Sequence, residues 1–162
     1  MEGIVLRQFR QGDGVRVQTV ALESWRHTYK EIFPADFVNQ FVARNYSPES
    51  LESLAALVEA GSMFFCVAVA PEGVVGFSNI WDRGNGMELL RIYLLPAYIG
   101  KGVGRKLLAA GEEFIRAHGS NRYFCMVHKR NQLGLNFYFR NQFRHVETED
   151  HDDEMYLEKR LA

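Results

Sequence analysis

The chain has 162 residues, of which 47% are hydrophobic and 24% charged, with a formal net charge of −1. That length fits one domain spanning residues 1–162, and the near-neutral balance excludes a general electrostatic pull toward nucleic acid or an anionic membrane. No basic run, signal-peptide pattern or apolar stretch of membrane-spanning length occurs, so the expectation is a cytoplasmic protein.

The first element, Ile4 to Phe9, has short β character and is broken by Gly12-Asp13-Gly14, where Asp13 can cap the next segment. Val17, Val20, Ala21, Ser24, Trp25 and Thr28 recur at helical spacing, which predicts a helix from about Gly14 to Tyr29. Pro34 opens a second amphipathic segment with Phe37, Val38, Phe41 and Val42 on one face. Ser47-Pro48-Glu49-Ser50 starts a third helix, with Pro48 at its first position, Leu51, Leu54, Ala55 and Val58 as its apolar stripe and Gly61 as its end. The period then changes. Met63 to Ala70 reads as a buried strand, Pro71-Glu72-Gly73 as a turn, and Val74 to Trp81 as the returning strand of a hairpin. A second turn, Asp82 to Gly86, leads to a strand from Met87 to Leu95. A Gly-rich loop and a helix from about Gly102 to His118 come next, then a strand at Tyr123 to Val127 and a short helix at Asn131 to Arg140. Phe143 to Glu149 and Met155 to Leu161 read as a final antiparallel pair. The alternation in the second half predicts α/β or α+β architecture around one mixed sheet. Cys66 and Cys125 lie in apolar runs and read as reduced core residues, and scattered histidines give no metal site.

The segment Leu94-Leu95-Pro96-Ala97-Tyr98-Ile99-Gly100-Lys101-Gly102-Val103-Gly104-Arg105-Lys106 carries the chemistry. A strand ends, a loop with three glycines intervenes, and a helix begins. The first N–H groups of a helix have no internal partners and, with the helix dipole, form an anion site. Lys101, Arg105 and Lys106 add positive charge there. A P-loop would need a longer glycine spacing ending in Lys-Ser or Lys-Thr. A dinucleotide fingerprint would need a further glycine where Arg105 stands and an acid near Arg122. Neither fits, and a Gly-rich turn without a ligand stays open on glycines alone.

The loop resembles the acetyl-CoA signature of the GCN5-related N-acetyltransferase (GNAT) superfamily, which runs glutamine or arginine, two residues, glycine, one residue, then glycine or alanine. Gly102 and Gly104 match the small positions, and Ile99 stands where glutamine or arginine is usual. Val127-His128-Lys129-Arg130-Asn131, then Leu135-Asn136-Phe137-Tyr138 and Phe143, resemble the second conserved block, with Gln142-Phe143 in place of Gly-Phe. Trp25, Thr28 and Tyr29, then Ile32, Phe33 and Pro34, resemble a common N-terminal pattern of small members. Together these matches cover most of the chain.

The resemblance implies a central mixed, mostly antiparallel sheet of six to seven strands flanked by helices. It also implies transfer of an acetyl group from acetyl-CoA to a primary amine of a small molecule or peptide, by direct attack and without a covalent enzyme intermediate. Pantetheine would run beside Ile92, Tyr93 and Leu94, with the Leu94 N–H facing the thioester oxygen. Gly100, Lys101, Gly102, Val103, Gly104 and Arg105 would hold the pyrophosphate. Asn131 would contact the cofactor arm, and Tyr138 would be the general acid beside the cofactor. Glu88, on the strand leading into the loop, matches by spacing the catalytic glutamate of the histone acetyltransferase branch, so the resemblance makes it the candidate base; strict alternation puts it on the side of Leu90, Ile92 and Leu94, and a water chain is the alternative if it points away. Trp25 and Tyr29 would line the acceptor cleft. Six acidic residues between Glu147 and Glu154 read as a solvated hairpin tip or as a rim that concentrates a cationic amine. A homodimer is common in such folds. Two other readings remain: a non-catalytic acyl-CoA-binding regulatory module, and an interaction domain whose glycine turn binds nothing.

Overall fold

The computed structural model describes residues 3–162. Seven strands form one sheet in the order β1-β2-β3-β4-β5-β7-β6. They are β1 (Val5–Gln8), β2 (Phe64–Ala70), β3 (Gly73–Asp82), β4 (Met87–Leu94), β5 (Arg122–His128), β6 (Arg144–His145) and β7 (Glu154–Arg160). All neighbours pair antiparallel except β4 and β5, which run parallel. The helices are α1 (Gly14–Tyr29), α2 (Ala35–Asn45), α3 (Pro48–Glu52), α4 (Ala55–Glu59), α5 (Val103–Ala117) and α6 (Gln132–Arg140).

Each strand in the middle of the sheet has two buried faces, so its side chains divide between two cores. On one face, Val17, Val20, Ala21 and Trp25 of α1 join Val38 and Val42 of α2 over Phe65, Val67 and Phe77. On the other, Leu108 and Ile115 of α5 and Leu135 of α6 pack on Ile80, Leu89, Cys125, Val127 and Leu157. Burial of this apolar area is the main stabilising term, at about 25 cal/mol per Å².

Three local expectations change. Asp13 precedes α1 but makes no side-chain cap. Its carboxylate accepts both guanidinium arms of Arg7, at 2.8 and 3.0 Å, and the Arg10 amide at 3.0 Å. The free amides at the start of α1 go to Glu52 of α3, which accepts from Gly12 and Gly14. The third predicted helix is two short ones. Ser47 caps it as expected, accepting from the Ser50 amide. The Ser53 hydroxyl then bonds the Ser50 carbonyl at 2.6 Å, a local bond that competes with helix continuation. The strand expected at Phe143 to Glu149 shrinks to Arg144–His145. Asp150 accepts from the Tyr156 amide at 2.8 Å, so a side chain takes the place of a ladder carbonyl, and Glu147–Glu149 closes into a 3-10 turn.

Candidate active site

The parallel pair at the centre of the sheet builds the site. β4 and β5 are in register at one position, Glu88 beside Phe124, and then diverge. The wedge that opens is a cleft of about 470 Å³, walled by Leu89 to Leu94 of β4, Met126 and Val127 of β5, and the N-terminal ends of α5 and α6. Divergence leaves β4 with unused backbone groups. The Leu95 amide donates to the Val75 carbonyl at 2.8 Å. By alternation, the Tyr93 amide also points toward β3, whereas those of Ile92 and Leu94 point into the wedge. A ligand with amide groups can therefore pair with β4 where β5 does not.

A β-bulge steers the side chains of β4. Asn79 pairs with Arg91 and Ile80 with Leu89, so Leu90 is the extra residue. Beyond it, Ile92 and Leu94 face α5, and Tyr93 faces α1. Before it, the parity is reset. Leu89 packs on the α5 side, and Glu88, opposite Trp81, faces the α1 side. The alternation expected for Glu88 is thus corrected by one residue. Its carboxylate accepts from Arg83 at 2.8 Å; the residue is 7% exposed and is not among those lining the cleft.

The floor near α5 is the candidate anion cradle. Gly100 and Gly102 have φ of +80° and +86°, and a Cβ at either would meet nothing within 4 Å. Their backbone is left-handed and uncrowded, which glycine alone adopts at no steric cost. Gly102 caps α5 without a side-chain bond. The first intrahelical amide is that of Lys106, bonded to the Gly102 carbonyl at 3.2 Å. The amides of Val103, Gly104 and Arg105 therefore remain for a ligand, and no acidic residue stands in the first turn. Gly104 also fits a close approach, since a Cβ there would lie 2.9 Å from the Phe137 ring. Arg105 lines the cleft. Lys101 instead holds its ammonium 5.9 Å from the Tyr98 ring centre. Val103 is 1% exposed as a whole residue, packs in the core and is not among the cleft-lining residues, so its contribution is limited to its helix-start amide. These groups fit a pyrophosphate: unpaired donors, a positive dipole end and a cationic side chain on one small surface.

The opposite wall comes from α6 and α1. Asn131 caps α6, its Oδ1 accepting from Gly134 at 2.8 Å, and its Nδ2 donates to the Tyr29 hydroxyl at 3.3 Å. Tyr138 reaches the cleft from the next turn. Burial, with smaller contributions from Cys125, Tyr93 and Tyr29, holds its hydroxyl well above the ordinary tyrosine pKa. Burial also raises Tyr29, with Tyr93 and Glu154 adding to the effect. Both hydroxyls stay protonated at neutral pH. Trp25 is packed between Tyr29 and Phe41, at 4.3 and 4.4 Å between ring centres, and supports the wall from behind.

The cleft thus brings together Tyr29, Ile92, Tyr93, Leu94, Gly100, Gly102, Gly104, Arg105, Asn131 and Tyr138. It adds Ser24, Thr28, Arg91 and Arg140, which sequence reasoning did not select. Ser24 and Thr28 precede Tyr29 on the helical stripe, a signal that could have found them. Arg91 shares the face of Tyr93 by simple alternation, but only the divergence of β5 from β4 opens a cleft beside it. The acidic hairpin tip does not line the cleft. Asp150 pairs with His145 and Asp153 with Lys129, at 2.9 Å each. Neither cysteine reaches the cleft, and burial raises both thiols, Cys66 to about 11.

Residues 22–143 match the model of the Acetyltransferase (GNAT) family, and the chain belongs to that family. The spermidine N(1)-acetyltransferase of Thermoplasma acidophilum is 33% identical over 136 residues, covering 82% of this chain and 83% of its own length. The N-acetyltransferase YuaI of Bacillus subtilis, itself uncharacterized, is 33% identical over 135 residues, 79% of this chain and 73% of its own. The crystal structure of the PaiA N-acetyltransferase from Thermoplasma acidophilum in complex with coenzyme A superposes with a TM-score of 0.92 at 28% identity, over 97% of this chain and 98% of that one. An acetyltransferase from Streptococcus agalactiae, 18% identical over 99% of this chain and all of that one, shares the fold with a TM-score of 0.75. The protein is an N-acetyltransferase with acetyl-CoA as its co-substrate. The expected family and mixed sheet flanked by helices are both met.

Proposed function

We propose that residues 1–162 form one cytoplasmic N-acetyltransferase domain that acetylates a primary amine of a small polyamine by direct attack on the acetyl thioester. The observation that carries this reading is the splay of β4 and β5, which sets unpaired β4 amides between the α5 cradle and the Tyr138 hydroxyl. The polyamine class is supported by the name of the Thermoplasma relative. Among the described residues no helix is long and apolar enough to cross a membrane.

Each part of the cleft takes a role. The amides of Val103, Gly104 and Arg105 hold the pyrophosphate, with Arg105 adding charge. The backbone of Ile92 and Leu94 aligns the pantetheine arm as an added strand would be aligned, and the Leu94 amide stabilises charge developing on the carbonyl oxygen. Acetyl-CoA supplies the activated acetyl group. Tyr138, kept protonated by burial, donates its proton to the departing sulfur. The ammonium proton leaves through water, since no Asp, Glu or His lines the cleft among the described residues. Glu88, fixed by Arg83 on the acceptor side, receives that proton at a distance. Tyr29 bounds the acceptor space.

A thiol-release assay over an amine panel tests the reading. Tyr138→Phe should lower kcat about a hundredfold, within the range for general acid catalysis, with coenzyme A affinity unchanged. Equal loss of affinity and turnover would remove Tyr138 from the acid role.

A further inference from the structure

The acceptor must meet the thioester from the sheet face that the cofactor cradle leaves free. α5 and α6 occupy one face, so the acceptor face is that of α1. β4 presents Arg91 and Tyr93 to the cleft on that side. The Arg91 guanidinium lies 4.7 Å from the centre of the Tyr46 ring, which draws it away from the wedge. Tyr93 has a different setting. Its ring is held edge-on by Tyr46, Phe77 and Trp25, at 5.9, 5.6 and 6.5 Å between centres. Three such contacts fix one rotamer. The Tyr46 hydroxyl, from a residue 3% exposed, donates to the Tyr93 hydroxyl at 3.2 Å. Tyr93 is next in sequence to Leu94, whose amide faces the wedge. It lines the same cleft as Tyr29 and Tyr138.

We propose that the Tyr93 hydroxyl, oriented by Tyr46, accepts an N–H of the acceptor amine and so directs the nitrogen lone pair at the thioester carbon. The inference rests on the acetyltransferase reading and adds a residue to it. An attacking primary amine has one lone pair to aim, and its N–H groups must be held on the far side. A fixed hydroxyl oxygen beside the Leu94 amide does this, where the cleft offers no carboxylate or imidazole. Tyr93 touches the acceptor; Tyr46 is a positioning residue that works through it. The backbone of Tyr93 still pairs with β3, so a change in its side-chain hydroxyl leaves the cofactor strand in place.

Steady-state kinetics with spermidine as the acceptor probe test this in the full chain. Tyr93→Phe should lower kcat/KM for spermidine about tenfold, the size of one hydrogen bond, with the KM for acetyl-CoA unchanged and the melting temperature lowered by a few degrees, because the buried Tyr46 hydroxyl loses its partner. Tyr46→Phe should lower kcat/KM for spermidine about threefold, a fraction of the same bond. The double variant should match Tyr93→Phe alone in kcat/KM, because the two residues act in series. An unchanged kcat/KM for spermidine in Tyr93→Phe would overturn the proposal. So would effects that multiply in the double variant, or a parallel rise in the KM for acetyl-CoA. Failure of the underlying reading has a separate signature: wild-type protein would bind coenzyme A and acetylate no amine, and the proposal would fall with it.

Discussion

The N-termini of α5 and α6 face the same cleft and are built in opposite ways. α5 begins at a left-handed glycine with no capping side chain, and its first amides are unspent. α6 begins at Asn131, whose side chain satisfies the Gly134 amide. The first leaves its donors free for an anion and the second is a closed structural joint, linked through Asn131 to Tyr29. A helix dipole is common to both, so the dipole alone does not make a binding site. What distinguishes them is whether the chain has already used its own donors.

The comparison can be broken most severely at Gly104. A valine there would drive a Cβ into Phe137, 2.9 Å away, and push α5 from α6. Overpacking of this kind costs about 1–3 kcal/mol, so calorimetry should find coenzyme A binding weakened roughly ten- to a hundredfold. Asn131→Ala acts on the other joint. It should cost about 1 kcal/mol of stability as a lost cap and lower the melting temperature by about 3 °C, with a smaller effect on coenzyme A affinity than Gly104→Val.

The start of α1 is a third case, closed by borrowed groups. Burial alone would raise the Asp13 carboxyl, but the Arg7 guanidinium and the Arg10 amide outweigh it and hold it below its usual 3.8. A folded pKa below the unfolded one means a contribution present above about pH 4 and lost as pH falls through the folded value. Chemical denaturation between pH 5 and pH 2 should show this loss, and Asp13→Asn should flatten that part of the profile. This is the smallest of the three effects, since the pair is partly exposed and screened by solvent.

Features set by neighbouring residues were legible in the sequence. The β2–β3 hairpin arises from two apolar runs around Pro71-Glu72-Gly73, and α5 from the glycine loop and its amphipathic stripe. Asn131 and Tyr138 stand at family spacing and reach the cleft together. Features set by pairing between distant strands were hidden. The Leu90 bulge falls in Leu89-Leu90-Arg91, which contains no glycine or proline to mark it, and arises from register against β3. One extra residue moves Glu88 to the other face, so counting along the strand misplaced it. The divergence of β5 from β4 is likewise a property of the sheet, and Arg91 and the free Ile92 and Leu94 amides depend on it. The shortened β6 has a local cause instead, because Asp150 takes the Tyr156 amide.

The contrast between open and closed helix ends can be read directly from amide resonances during a coenzyme A titration. The largest shifts are predicted at Val103, Gly104 and Arg105 of α5 and at Ile92 and Leu94 of β4, with a smaller one at Gly134, whose amide is already bonded to Asn131. Unmoved α5 amides beside a strongly shifted Gly134 would contradict the account.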